Sequence, residues 1–307
     1  MRVFVTGATG FIGSRLVKEL MGAGHSVLGL TRSDEGAKAL VSTGAEAHRG
    51  RLEDVESLRG GAAQADAVVH LAFDHSAFGG EFSKFIEVCE QDKRAIEAMA
   101  GVLKGSARPL IVTSGTGMGS TGPGQLAIED HLDTAHANPR TGSEVLCASL
   151  VEQGVNLSVV RLPQVHNTEK QGLVTYLILT ARQKGVSAYV GEGLNRWPAA
   201  HVSDVARLYR LAVEKASAGA RYNAVAEEGI ATRKIAEAIA KGMNVPAVSI
   251  TPEQAQEHFG WLAMFAGWDI PASGAKTREV LGWTPSGPTL LADLEAKDYA
   301  ALPAGAR

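Results

Sequence analysis

Cysteine is scarce: Cys89 and Cys147 are the two in 307 residues. That is far too few for a secreted disulfide scaffold, and both are expected as reduced, partly buried thiols. No Cys/His cluster stands at metal-ligand spacing, so no metal is expected. Long apolar runs are also missing. The longest, LVTYLILTA (Leu173 to Ala181), falls well short of the ~20 residues that cross a bilayer. Charge is nearly balanced, with a net −3 and no long basic run, which leaves a nucleic-acid partner without electrostatic support. The opening residues RVFV read as a strand, with no charged n-region leading into a cleavable apolar segment. A cytoplasmic protein with no membrane partner is the expectation.

What remains is a chain that is 45% hydrophobic and 21% charged, an ordinary globular balance. Its length suits one large domain or two modest ones. Glycine is the excess: 35 residues, against a usual share of ~7%, which predicts many tight turns or close backbone approaches. Strand-like runs alternate with helical patterns in the first half. Arg2–Thr6, Ser26–Thr31, Ala67–Ala72, Leu110–Thr113 and Leu157–Leu162 read as strands. Between the first two, Ile12, Leu16 and Leu20 share one helical face. Continuous apolar strands separated by helices imply an α/β protein with a parallel sheet covered on both faces. Further on, the spacing predicts a helix near Leu173–Lys184, a strand at Ser187–Val190 and a helix at Val202–Lys215. A strand at Arg221–Ala226 could rejoin the sheet, and the tail from Thr232 reads as mainly helical.

The turn Thr6-Gly7-Ala8-Thr9-Gly10-Phe11-Ile12-Gly13 lies between the first strand and its helix, the context in which a glycine pattern signals a dinucleotide. Gly7 permits the sharp turn, Gly10 lets a pyrophosphate approach the backbone, and Gly13 allows close helix–sheet packing. The helix N-terminus offers free N–H groups and partial positive charge. Gly7, Thr9, Gly10, Phe11, Ile12 and Gly13 are therefore candidate cofactor contacts. The second strand ends Thr31-Arg32-Ser33, with no carboxylate before Asp34. An acid there would bond a ribose 2′-OH, whereas an Arg with a neighbouring hydroxyl suits a 2′-phosphate. NADP(H) is preferred over NAD(H), with Thr31, Arg32 and Ser33 as its contacts.

TGATGFIG together with later motifs resembles the extended or atypical short-chain dehydrogenases/reductases, the epimerase/dehydratase-like kind, along nearly the whole chain. GRLEDVESL (Gly50–Leu58) is similar to that family's adenine-contacting segment and implicates Leu52, although Arg51 stands where the family has Asp. VVHLA and the next residue imply Leu71, Ala72 and Phe73 beside the ribose and nicotinamide. RLPQVHN (Arg161–Asn167) implies Pro163 and Val165 along the nicotinamide, and in RWPAAHVSDVARLYRLA the resemblance makes Asp204 structural. The implied fold is a Rossmann doubly wound parallel sheet with a small, mainly helical C-terminal substrate region. Residues 1–166, with 200–226 returning, would form the core, and 167–199 and 227–307 the substrate region. Family members often pair through helices, so a homodimer is compatible with the resemblance.

The family's catalytic Tyr-x-x-x-Lys is missing: none of the five tyrosines has Lys four positions later. Counting back from Glu144 puts Arg140 at the Lys position and His136 at the Tyr position. Imidazole exchanges protons near neutral pH, and Arg is a fixed cation. The bland alternative is a divergent loop with a solvated His136. Ser114, or Gly115, falls where the catalytic hydroxyl belongs, and Thr116 is adjacent; small residues making room for a nicotinamide are the alternative there. Asp74 and His75 at the cleft mouth read as a solvated pair or an acid/base pair. His166, Arg196, Trp197 and His201 come from segments that face substrate in the family. The aromatics Phe259, Trp261, Phe265 and Trp268 read as core or dimer packing before a substrate cage. An NADPH-dependent oxidoreductase acting on a small carbonyl substrate is the preferred function. The alternatives are an NADP(H)-binding sensor or scaffold without hydride transfer, and a nucleotide-sugar epimerase/dehydratase.

Overall fold

The computed structural model describes residues 1–75 and 82–301. β1 (Arg2–Thr6) is buried from Val3 onward and turns into α1 (Phe11–Gly22), which buries Gly13, Leu16, Val17 and Leu20. The alternation continues with β2 (Ser26–Thr31), α2 (Asp34–Ser42), β3 (Glu46–Arg49), α3 (Val55–Ala63) and β4 (Ala67–His70). It runs on through α4 (Phe82–Leu103), β5 (Leu110–Gly115), α5 (Thr141–Glu152) and β6 (Leu157–Leu162). β7 (Gln164–His166), α6 (Val174–Lys184), β8 (Ser187–Val190) and β9 (Arg196–His201) leave this pattern. α7 (Val202–Lys215) and β10 (Arg221–Asn223) return to it. β11 (Glu227–Ala231), α8 (Thr232–Met243), β12 (Ala247–Ile250) and α9 (Pro252–Phe259) follow, then α10 (Ala263–Ala266), α11 (Ala275–Leu281) and α12 (Leu290–Ala296).

Seven strands form one parallel sheet in the order β10-β6-β5-β4-β1-β2-β3. One face packs on α1 and α7 through Val3, Val5, Val69, Leu16, Leu20, Leu208 and Tyr209. The other packs on α3, α4 and α5 through Phe4, Val68, Val112, Ile96, Met99 and Leu150. Burial on both faces explains why the strands read as unbroken apolar runs. The chain reverses direction across the sheet at the β1/β4 pair, and in open α/β sheets ligands lie beyond the strand carboxyl ends at such a switch point. The predicted strand at Arg221–Ala226 does rejoin the sheet, as its edge beside β6, but only over Arg221–Asn223.

A three-stranded sheet, β11-β9-β7, and a pair, β12-β8, carry the remaining strands. β3, β7, β9, β11 and β12 have no counterpart in the sequence expectations. They are short and half exposed or assembled from distant partners: EAHR of β3 is an edge strand, and β12 pairs Val248 with Ala188. A separate core of Trp197, Ile178, Ile235, Ile239, Phe259 and Leu290 lies under these elements. Ala127, in the loop after β5, bridges to Ala272, tying that loop to the C-terminal segment.

Candidate active site

The glycine turn is shaped by backbone sterics. Gly7 has φ +69°, and a Cβ there would lie 2.9 Å from the Ala72 amide nitrogen, so only glycine fits without strain. At Gly13 a Cβ would stand 2.0 Å from the Gly7 carbonyl oxygen. Gly10 is the N-cap of α1 and supplies no side-chain cap. The first N–H groups of a helix have no intrahelical acceptor, so those of α1 remain available to an anion. A Cβ on Gly10 would meet nothing within 4 Å but the Gly7 oxygen, which leaves its approach open. Thr9 and Gly10 are exposed, and Phe11 and Ile12 half buried. These residues fit a pyrophosphate.

At the end of β2, Thr31 is buried and Arg32 is exposed, with no ion pair or hydrogen bond among the described residues. Ser33 caps α2 by accepting from the Gly36 N–H at 3.0 Å. Asp34, the first carboxylate after the strand, is taken by Arg49 at 3.1 Å. Arg51 is exposed, and Leu52 packs half buried against the second core.

Beneath the other end of the groove runs a buried polar chain that sequence reasoning missed. Thr6 Oγ1 accepts from the Leu71 and Ala72 N–H groups at 3.2 and 3.1 Å, which fixes the strand exit that flanks Gly7. The same hydroxyl meets His70 Nδ1 at 2.8 Å, and His70 Nε2 meets Asp92 Oδ1 at 3.2 Å. Ser143 donates to Asp92 Oδ2 at 2.7 Å. Burial alone would raise the Asp92 carboxyl, but His70, Arg140 and Ser143 together hold it below its ordinary value. A histidine closing the apolar strand AVVH was the one signal in the sequence. Leu71, Ala72 and Phe73 are half buried beside this chain, Pro163 is half buried, and Val165 is a core residue.

The four candidate catalytic residues gather at the carboxyl end of β5. Ser114 is buried, and its hydroxyl has no hydrogen-bond partner among the described residues. Thr116 is buried in the 3-10 turn Thr116–Gly119. Arg140 donates to the Thr113 carbonyl at 3.1 Å, and its guanidinium lies 4.0 Å from the centre of the Phe73 ring; its Nε–H is unpaired. His136 does not lie on the helix with Arg140. α5 starts only at Thr141 with Arg140 as N-cap, because Pro139 disfavours helical backbone at Asn138. The Asn138 N–H donates to His136 Nδ1 at 3.1 Å. In the neutral ring that makes Nε2 the proton-bearing nitrogen, and it lies over Gly117, 3.6 Å from where a Cβ would be. Tyr209, the tyrosine nearest β5 in these contacts, is fully buried; its OH bonds Thr113 Oγ1 at 2.7 Å, and burial pushes its pKa up. It is no substitute for the missing phenol.

His136 also lines a cavity of about 550 Å³, between the loop after β5 and the segment Gly267–Pro271. Trp268 forms one wall, edge to face with His136 at 6.2 Å between ring centres. Trp268 thus belongs to the cavity, where the sequence favoured packing; Phe259 and Trp261 do pack in the third core. Arg196 reaches the same wall but is spent: Nε and Nη2 donate to Asp269 at 3.0 and 2.8 Å, and Nη2 also to the Gly124 carbonyl. His166 and Trp197 do not face the cavity. Both are fully buried, Trp197 in the third core and His166 against Asp293 at 2.6 Å. Asp204 accepts from the Ser286 and Gly287 N–H groups and from Arg207, a set of bonds that ties α7 to the C-terminal loop. Glu144, used above only to count back, forms a wholly buried pair with Arg161 at 2.7 Å. The Arg161 guanidinium also donates to the Ile128 and His131 carbonyls, so it holds the loop that enters the cavity wall.

Known proteins resemble this chain in sequence or in fold. The description "NAD dependent epimerase/dehydratase family" matches residues 3–225. The protein C2A9.02 of Schizosaccharomyces pombe is 46% identical over 97% of this chain and 100% of its own length. Two solved structures share the fold at low identity. The dTDP-glucose 4,6-dehydratase DesIV of Streptomyces venezuelae, with NAD and TYD bound, has a TM-score of 0.75 at 17% identity, covering 97% of this chain and 95% of that one. The UDP-glucose 4-epimerase of Thermus thermophilus, in complex with NAD, has a TM-score of 0.73 at 20% identity, covering 99% and 100%. Glycine turn, sheet order and family match agree: the chain belongs to the NAD-dependent epimerase/dehydratase family, with the fold of an extended short-chain dehydrogenase/reductase.

Proposed function

We propose that this protein is an NADP(H)-dependent oxidoreductase that reduces a small carbonyl compound. The observation that carries the reading is the convergence at the end of β5. A Ser114 hydroxyl with no partner among the described residues and the Arg140 cation stand at the end of β5, and His136, whose Nε2 lies over the turn that follows, lines a cavity of about 550 Å³. Gly7, Gly10 and Gly13 would hold the pyrophosphate, and Arg32 with Ser33 the 2′-phosphate. Arg32, with no partner among the described residues, and the engagement of Asp34 by Arg49 support NADP(H), although the two solved structures above hold NAD. Bound NADPH supplies the two electrons and one hydrogen of the reduction.

The protein's own residues do the rest. Ser114 donates a hydrogen bond to the carbonyl oxygen and polarises it. The Arg140 guanidinium favours negative charge developing on that oxygen. His136 donates a hydrogen bond from Nε2 that stabilises the developing alkoxide, which takes its proton from solvent at the cavity mouth. Positioning by the fixed cleft contributes alongside these groups, so loss of Tyr-x-x-x-Lys is compatible with slow turnover. The missing motif also supports a second reading, an NADP(H)-dependent sensor without chemistry.

The test is NADPH consumption against a panel of aldehydes and ketones between pH 5 and 9, with calorimetry of NADPH and NADH. Turnover with tighter NADPH binding supports the reductase. Tight binding with no turnover at any pH selects the sensor, and no heat with either nucleotide overturns both.

A further inference from the structure

We infer that the cavity beside His136 is built for an uncharged carbonyl compound and rejects nucleoside-diphosphate sugars, an assignment that rests on the reductase reading above. A diphosphate needs cations or a row of free N–H donors where it sits. Among the described residues no Lys or Arg lines this cavity. The undescribed internal residues Ser76–Glu81 contain neither type. Arg196, which reaches the wall, is bidentate to Asp269 and bonded to the Gly124 carbonyl, and Arg161, bonded to the His131 carbonyl, is paired with Glu144, so both charges are already engaged. That ion pair holds Asp269 below the ordinary carboxylate range, so Asp269 stays ionised and keeps Arg196 engaged.

Asp133, on the same lining, has no ion pair among the described residues; its Oδ1 accepts only the Ala135 N–H, at 3.1 Å. Asp133 therefore brings to the wall a carboxylate with no ion-pair partner among the described residues. The other polar lining groups are the side chains of Ser120, Thr121 and Gln125 and the imidazoles of His131 and His136, and Trp268 gives an aromatic face. Neutral hydrogen-bonding groups around a ring are a setting for an uncharged polar or aromatic carbonyl. A phosphate placed here would meet a carboxylate and no Lys or Arg, so specificity comes from a repulsive element as well as an attractive one.

The experiment uses the full chain loaded with NADP⁺ at pH 8, so that the dinucleotide groove is filled. UDP and UDP-glucose are titrated by calorimetry, and benzaldehyde is compared with 4-carboxybenzaldehyde in NADPH consumption. The expected result is no saturable heat up to about 1 mM nucleotide, and a kcat/KM about tenfold or more higher for the uncharged aldehyde. Asp133→Asn keeps an oxygen for the Ala135 N–H and narrows that ratio. Gln125→Lys, at an exposed lining position, adds a cation and creates measurable UDP binding. Saturable UDP-glucose binding to the unaltered protein, or equal kcat/KM for the two aldehydes, overturns the assignment. Lack of NADPH binding overturns the reductase reading instead. NADPH binding with neither aldehyde turned over also sinks that reading, while the UDP titrations still judge the charge preference of the cavity.

Discussion

The two ends of the proposed cofactor groove are built by different means. At the β1–α1 end the ligand surface is backbone: helix N–H groups and glycines whose missing side chains are enforced by contacts as close as 2.0 Å. At the β5–α5 end it is side chain: a hydroxyl, a guanidinium and an imidazole, from a strand, a helix cap and a loop. A backbone site tolerates almost no substitution, because the fold fails along with the function. A side-chain site can exchange its groups while the scaffold stands. This chain shows both behaviours: an intact glycine turn, and a catalytic pattern in which Tyr and Lys have given way.

That contrast can be broken at several points. The largest expected effect is at the scaffold of the side-chain end. Glu144→Leu strands the buried Arg161 guanidinium and should cost about 3–5 kcal/mol in urea unfolding; a loss under ~1 kcal/mol would show that the pair does not hold the wall. Gly13→Ala drives a methyl into the Gly7 carbonyl and should cost about 3 kcal/mol and abolish NADPH binding by calorimetry. Wild-type binding there would refute the steric account of the turn. His136→Ala should lower kcat about 10²-fold with the NADPH dissociation constant unchanged, and a fall in affinity instead would make it a structural residue. Arg32→Ala should weaken NADPH about tenfold or more and leave NADH untouched; equal effects on both would remove the 2′-phosphate assignment.

The smallest effect is on acid stability. Burial lowers the His166 pKa, with Asp293 pulling the other way, so the folded state takes up its proton less readily than the unfolded chain. Its contribution is complete above the unfolded value of about 6.5 and is lost as pH falls from there to the lowered folded value. Thermal unfolding from pH 8 down to 5 should show this slope, and His166→Gln should flatten it. An unchanged slope in the variant would assign the effect to other groups.

Much of this contrast was legible in the sequence. β1, β2, β6 and α7 have the boundaries read from the residues alone, because burial on both sheet faces, or a strong helical period, leaves an unambiguous local pattern; β8 has them too, although it lies in a two-stranded sheet and is only half buried. The short strands were not legible: β7 and β9 pair across 35 residues, from Gln164 to Ala199, and neither alternates clearly. The positions of Ser114, Thr116, His136 and Arg140 near one another follow from the family spacing, but the late start of α5 was only hinted at by Pro139. Trp268 and Asp269 could not be placed in a cavity from sequence, since their partners His136 and Arg196 lie far away along the chain. The Thr6–His70–Asp92–Ser143 chain was hidden for the same reason.

The bridge between Ala127 and Ala272 has a consequence for the order of assembly during synthesis. A nascent chain that has emerged as far as Val225 possesses the glycine turn and all seven strands of the large sheet, and the family match ends at that same residue. It lacks the cavity beside His136, because one wall arrives with Gly267–Pro271. Translation therefore completes the proposed nucleotide half well before the half that closes the cavity.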